Sequence, residues 1–284
     1  MSVGSHRALE AHEPGAGQRR YSTLASEYSP VDGFLKRAMS KVAWQALCQV
    51  VSGSKLSVKL ASGQSFKVRV GDQVSRMIFE NGAYEPHLTS LLLPFIKPGM
   101  TVFDIGANIG YYTVLLARRV GDQGAVHAFE INDKVLDLLE ENIRMAHLTN
   151  VTVVKKAITK TTGEAEFFLP REGDEAEGSL RKSNRYDALS VVKVKTVSID
   201  DYVHEHGIQR VDCIKIDVEG AEYEAFQGAT KLLSSKDKPV IMFEALDSAC
   251  VNFGVTWYQV IKQVSDFGYR IHQGDAANFL ATPL

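Results

Sequence analysis

Four carboxylates in this chain each close a short apolar run. Asp104 ends "TVFD", Glu130 ends "AVHAFE", Asp217 ends "CIKID" and Glu244 ends "VIMFE". Charge at the end of a buried strand is costly unless it is paired or put to use. Around the first, "VFDIGANIGYY" sets Gly106, Asn108 and Gly110 where a strand turns into a helix. Glycines there let the backbone turn tightly and approach a ligand closely. The pattern GxNxG, with an acid two residues ahead, departs from the GxGxxG of nicotinamide enzymes. Glu130 stands where an acid grips ribose hydroxyls; alone, either acid could equally cap a turn. Lys215, Asp217 and Glu219 alternate, which puts Lys215 and Asp217 on one strand face about 6.8 Å apart. They read as an ion pair, as catalytic groups, or as both. Glu219 also suits a helix N-terminus. An acidic rim repels a pyrophosphate and suits a cationic cofactor. S-adenosylmethionine carries a sulfonium and an ammonium, plus a ribose diol for the remaining acid, so the chemistry favours methyl donation over hydride transfer.

The elements that must position these groups are legible in the periodicity. Strands are expected at residues 101–104, 125–130, 151–157, 211–217 and 240–245, with helical patterns at 110–119, 133–146, 221–233 and 256–267. Such alternation predicts βαβ units and a parallel α/β sheet. Ligands then sit at the carboxyl edge, near the topological switch point. Between residues 163 and 197 two further strands flank a charged loop, and the chain closes with an antiparallel strand pair. Residues 1–30 read as a disordered tail. Residues 31–98 read as a helical and β-hairpin extension, a cap or dimer element, and residues 99–284 as the cofactor-binding domain. In the first helix Phe34, Leu35, Ala38, Val42, Ala46 and Val50 recur at helical spacing, and Phe34, Met39 and Trp44 suggest an inner face that covers the site or docks on a second subunit.

With 284 residues, 45% of them hydrophobic, and a net charge of −2, the chain can bury a full core and offers no basic surface for nucleic acid. The three cysteines are scattered, and no Cys/His cluster suggests a metal site. The N-terminus has no apolar h-region, and no run approaches the roughly 18–20 apolar residues of a membrane span. A cytoplasmic protein is expected.

The stretches "GAYEP", "VFDIGANIGYYTV", "AFEIN", "NVTVVKKAI", "VKTVSIDDYV" and "VDCIKIDVEGAEYEAFQGA" resemble the FkbM-like S-adenosylmethionine-dependent methyltransferases, from about Tyr84 to the C-terminus. The resemblance implies a class I methyltransferase fold: a Rossmann-like, seven-stranded, mostly parallel sheet with one antiparallel strand. It implies O-methylation of a sugar, polyketide or other secondary metabolite, hence a small-molecule or glycosidic acceptor. It also implies that Asp104, Gly106, Asn108 and Gly110 lie against the methionine part of the cofactor, that Glu130 takes the ribose, and that Ala157 and Ile158 lie near the adenine. Tyr84 and Glu85 would border cofactor or acceptor. Asp217 is the favoured general base, also bordering the cofactor, with Glu219 or Glu244 holding the acceptor. N-methylation of a peptide side-chain amide is the alternative. A nicotinamide dehydrogenase and a catalytically silent cofactor-binding fold are further rivals. Nucleic-acid methylation is disfavoured, because "DVEG" stands where adenine-modifying enzymes carry (D/N)PP(Y/F).

Overall fold

The computed structural model describes residues 34–169, 178–182 and 190–284; the tail expected at 1–30 and most of the charged loop lie outside the described residues. Helix α1 (Phe34–Val51) leads into the hairpin β1 (Lys55–Lys59) and β2 (Ser65–Arg69), paired antiparallel as the alternation predicts. Helices α2 (Gln73–Asn81) and α3 (Pro86–Leu92) follow. Then come β3 (Thr101–Ile105), α4 (Tyr111–Val120), β4 (Ala125–Phe129), α5 (Asp133–Met145) and β5 (Val151–Val154). A side layer holds β6 (Ala157–Ile158), β7 (Gly163–Leu169) and β8 (Ser190–Val197). The second half runs α6 (Ile199–Glu205), β9 (Cys213–Ile216), α7 (Glu222–Gln227), α8 (Thr230–Leu233), β10 (Val240–Glu244), α9 (Asp247–Cys250), α10 (Trp257–Asp266), β11 (Tyr269–Gln273) and β12 (Asn278–Pro283).

The main sheet has seven strands in the order β11-β12-β10-β9-β3-β4-β5, and β12 alone runs against the others. The inner parallel strands β10, β9, β3 and β4 are largely apolar on both faces because helices cover both. Phe103, Ile105, Ile214 and Ile216 face one core layer, while Val102, Cys213 and Met242 face the other. Phe66, Ile78 and Leu92 join that second layer, so the hairpin and its two helices share a core with the sheet. The chain order reverses between β3 and β9, which makes their carboxyl ends the switch point.

Three elements differ from the sequence reading. The third strand stops at Val154, and Ala157 and Ile158 pair instead with Thr196 and Val197 of β8 in a separate three-stranded sheet. The helix expected over 221–233 breaks at Gly228, where a Cβ would come within 2.3 Å of the Thr159 carbonyl oxygen. In α1 the buried position is Trp44, 4% exposed and packed on Phe79 at 5.2 Å between ring centroids. Burying that one large ring turns Met39, Val42 and Val50 outward, at 71%, 65% and 80% exposed. Met39 and Val42 are therefore not on the inner face, and the side chains of residues 34–38 lie outside the described ones.

Candidate active site

At the switch point the two loops touch. The Asp217 amide donates to the Ile105 carbonyl at 3.0 Å. A Cβ on Gly106 would sit 1.8 Å from the Asp217 carbonyl oxygen, and Gly106 has φ +76°. Only glycine permits this crossing. Asn108 also has a positive φ of 49°, a conformation that asparagine tolerates better than most residues. Its amide donates to Glu130 Oε2 at 2.8 Å, and its own Oδ1 accepts from the Ile109 amide at 2.7 Å. This explains asparagine in place of a middle glycine.

Beside this turn opens a cavity of about 120 Å³. Its wall includes Tyr84, Gly106, Asn108, Glu130, Ala157, Ile158, Asp217 and Glu219 of the expected site residues, joined by Tyr111, Tyr112 and Lys215. Gly110 is not in that wall. It starts α4 at φ +88°, and its missing Cβ makes room for Leu139 of α5. Asp104 lies under the turn, fully buried, accepting from Thr113 Oγ1 at 2.5 Å while its Oδ1 finds no partner. Burial raises its pKa, against the pull of Lys215 and Thr113. Sequence reasoning missed Lys156, Phe167, Gly178 and Leu180, which extend the wall beside β6. The one signal was Gly178 inside a charged stretch: a Cβ there would strike the Phe167 ring at 2.3 Å.

Two ends of the cavity differ chemically. At one end Glu130 accepts from the amides of Ile131 and Asn132 at 2.7 and 2.8 Å through Oε1, besides Asn108 through Oε2. Two carboxylate oxygens offer about four acceptor positions, so three amides leave one open to a ligand hydroxyl. Burial raises the Glu130 pKa, against those amide bonds. Ala157 and Ile158 supply an apolar wall next to it.

The other end is a carboxylate cluster around one lysine. Lys215, 5% exposed, donates to Asp217 Oδ2 and to the Gly106 carbonyl, each at 3.3 Å, with its ammonium 5.2 Å from the centroid of the Tyr112 ring. Burial disfavours its charge, but Asp217, Asp104 and Glu85 outweigh that and raise its pKa. Glu85 accepts from the Tyr112 hydroxyl at 3.2 Å, and burial with Asp217 nearby pushes it up to about 7. Glu244 lies beyond the cavity wall, yet burial and the neighbouring charges of Asp217, Glu219, Glu222 and Glu85 push it up to about 10. Tyr84 is held well above its ordinary value by burial and the same acids. Glu85 and Glu219 also take positive φ, 44° and 53°. With Asn108, three such non-glycine residues border one site, and stored backbone strain of this kind gathers at functional sites.

The sequence comparisons agree with this geometry. The family model described as "Methyltransferase FkbM domain" matches residues 104–271. The hexuronic acid methyltransferase AglP of Haloferax volcanii is 25% identical over 161 residues, covering 57% of this chain and 63% of that protein. The 2-O-methyltransferase NoeI of Sinorhizobium fredii is 28% identical over 156 residues, covering 49% and 60%. The chain thus spans less than two thirds of the length of these curated relatives. A solved SAM-dependent methyltransferase from Aquifex aeolicus aligns over 68% of this chain and 86% of its own at 19% identity and a TM-score of 0.39. Among the described residues no helix is long and apolar enough to cross a membrane. The glycine crossing, the acids at the strand ends and the family match converge on one conclusion: the chain belongs to the FkbM family of S-adenosylmethionine-dependent methyltransferases and has their class I fold.

Proposed function

We propose that this protein methylates a hydroxyl oxygen of a sugar or another small hydroxylated metabolite, with Asp217 as general base. The observation that carries the reading is Asp217 itself: half-buried at the switch point, in the cavity wall, and fixed by Lys215. The name of one relative, a 2-O-methyltransferase, supports methylation at oxygen, and that of another, a hexuronic acid methyltransferase, supports a sugar-derived acceptor.

When bound, S-adenosylmethionine supplies a methyl group already activated by its sulfonium. The turn at Gly106 and Asn108, with Asp104 beneath it, holds the methionine part. Glu130 takes a ribose hydroxyl at its free acceptor position, and Ala157 and Ile158 flank the adenine. Tyr84 and Tyr112 cover the reacting end, and Glu85 orients Tyr112. Aligning the acceptor oxygen contributes ~7–11 kcal/mol of the barrier reduction. Asp217 removes the hydroxyl proton, and Lys215 keeps that carboxylate in one orientation. Glu244, pushed up to about 10, keeps its own proton at neutral pH. It therefore does not compete as base, and Glu219, in the cavity wall, supplies a hydrogen-bond acceptor.

The test is Asp217→Asn. The expected loss of turnover is ~10²–10⁴-fold, the usual contribution of a placed base, with S-adenosylhomocysteine affinity changed little. Near-normal turnover in that variant would remove Asp217 from the role. Mass spectrometry that places the methyl group on nitrogen would replace the hydroxyl acceptor with an amide.

A further inference from the structure

The reacting end of the cavity is lined by carboxyl groups. Asp217 and Glu219 stand in its wall, and Glu85 lies directly behind Tyr112. Glu244 closes the neighbouring strand and keeps its proton at neutral pH, which leaves Asp217, Glu219 and part of Glu85 to repel an anion. Asp275, on the turn between β11 and β12, adds its charge to Glu85. Glu222 stands behind the turn, 1% exposed, with Oε2 left without a partner.

Among the described residues, the cations within reach are already committed. Lys215 is spent on Asp217, the Gly106 carbonyl and the Tyr112 ring. Lys156 belongs to the opposite end, beside Ala157, where it pairs with Glu205 at 3.8 Å. Arg181 pairs with Glu224 at 2.8 Å and lies over the Phe253 ring. His87, on the approach side, is exposed, and its Nε2 bonds the Gly274 carbonyl. Among the described residues no cation is left at the reacting end to receive an acceptor's carboxylate or phosphate.

An acceptor must bring its hydroxyl to Asp217, so whatever its ring carries next to that hydroxyl enters this field. Carboxylates and tyrosines accept from hydroxyls and ammonium groups. An added anion would meet like charge in a place partly closed to water, where screening is weak. We infer that the acceptor is an uncharged polyol or an amino sugar, and that the acidic edge rejects sugars bearing a carboxylate near the methylated hydroxyl. The inference rests on the hydroxyl-methylation reading, and it narrows the acceptor class by charge.

Three acceptors of matched shape test it: methyl β-glucopyranoside, the corresponding 2-amino sugar and the corresponding glucuronide. Their binding to the protein saturated with S-adenosylhomocysteine is measured by titration calorimetry, and labelled methyl transfer is measured in parallel. The expected order is amino sugar and glucoside ahead of glucuronide, with the glucuronide weaker by at least ~10-fold, as like-charge juxtaposition demands. Glu219→Gln should narrow that gap: it takes an accepting partner from all three sugars, but it relieves repulsion for the glucuronide alone, so the ratio of glucoside to glucuronide affinity falls. Equal or tighter binding of the glucuronide, or binding of none of the three, overturns the inference. The expected binding order with no methyl transfer to oxygen would instead sink hydroxyl methylation and leave charge selection standing.

Discussion

Glu222 shows how much of this site depends on one buried proton. Its Oε1 accepts the Val218 amide at 2.9 Å, which fixes the turn that carries Asp217 and Glu219. Burial, opposed by that amide and reinforced by Asp217 and Glu219, pushes the carboxyl up to about 8. At neutral pH it therefore holds the turn mainly as a neutral acid. Glu222→Gln preserves both the acceptor and the missing charge, and should keep stability and turnover close to those of the parent. Glu222→Ala strands a buried donor, which costs ~1–3 kcal/mol, and loosens the turn; a shift of about 1 Å at the base lowers turnover ~10²-fold. Thermal melting and turnover of the two variants side by side decide it, and an alanine variant equal to the parent in both would refute the role. In the sequence Glu222 looks like an ordinary first-turn acid. Asp217 was legible because a charge ending an apolar strand needs a reason. Glu222 was not, because its 1% exposure depends on tertiary packing: α7 lies against α10, distant in the chain, and the Ala249 carbonyl closes over Gly220 two residues before it.

At the scale of elements, Asn142 joins three pieces of chain. It lies on α5, 1% exposed, and its Oδ1 accepts the Lys67 amide at 2.6 Å. Its Nδ2 donates to the Lys67 carbonyl at 3.1 Å and to the Ile109 carbonyl at 2.9 Å. One amide thus ties the hairpin to α5 and steadies the turn at Asn108, with the ion pairs of Lys55 and Arg69 to Asp137 at the surface above. Asn142→Ala should cost ~1–3 kcal/mol for the stranded buried groups and weaken S-adenosylhomocysteine binding through the Ile109 carbonyl. Asn142→Asp keeps the acceptor but loses the donor, so it should weaken cofactor binding more than it shifts the hairpin. Removing the surface pairs should change little, since exposed ion pairs contribute ~0–1 kcal/mol. Unchanged cofactor affinity in Asn142→Ala, read by titration, would show that the turn holds itself. The parallel sheet followed from βαβ alternation, because each parallel strand needs a crossover connection, while its seven strands with one reversed were implied by the family resemblance. The face of α1 did not follow, because apolar spacing offers two stripes and only the packing of Trp44 on Phe79 selects between them. The end of the third strand was equally hidden: Ala157 and Ile158 resume an apolar pattern after Lys155 and Lys156, yet their partners Thr196 and Val197 lie some forty residues away.

Across the whole molecule, the cluster makes stability depend on pH with a definite sign. Glu85, Glu222 and Glu244 rise from an ordinary value of 4.5 to about 7, 8 and 10, chiefly through burial and secondarily through one another and Asp217. A raised carboxyl binds its proton more tightly in the folded state than in the unfolded chain. Its contribution is therefore complete below about 4.5 and is lost as pH rises through the folded value. Without cofactor, the protein should melt at progressively lower temperature between pH 6 and pH 9, as Glu85 and then Glu222 ionise. Glu244 is still largely protonated in that range, but it keeps losing ground against an unfolded chain that has already released the proton. Glu244→Gln removes that proton requirement and should raise Tm at pH 9, by ~2–4 °C for each kcal/mol relieved in a chain of about this size. A cationic ligand acts in the same direction, because positive charge at the acidic end offsets carboxylate repulsion. S-adenosylmethionine should accordingly stabilise the protein more at pH 9 than at pH 6, relative to S-adenosylhomocysteine, which lacks the sulfonium charge. Melting curves of parent and Glu244→Gln at both pH values, with each ligand, measure the two effects together. A melting temperature independent of pH in the parent, or a Glu244→Gln variant destabilised at pH 9, would mean that the carboxylates are hydrated in solution, and charge selection at the cavity would weaken with them.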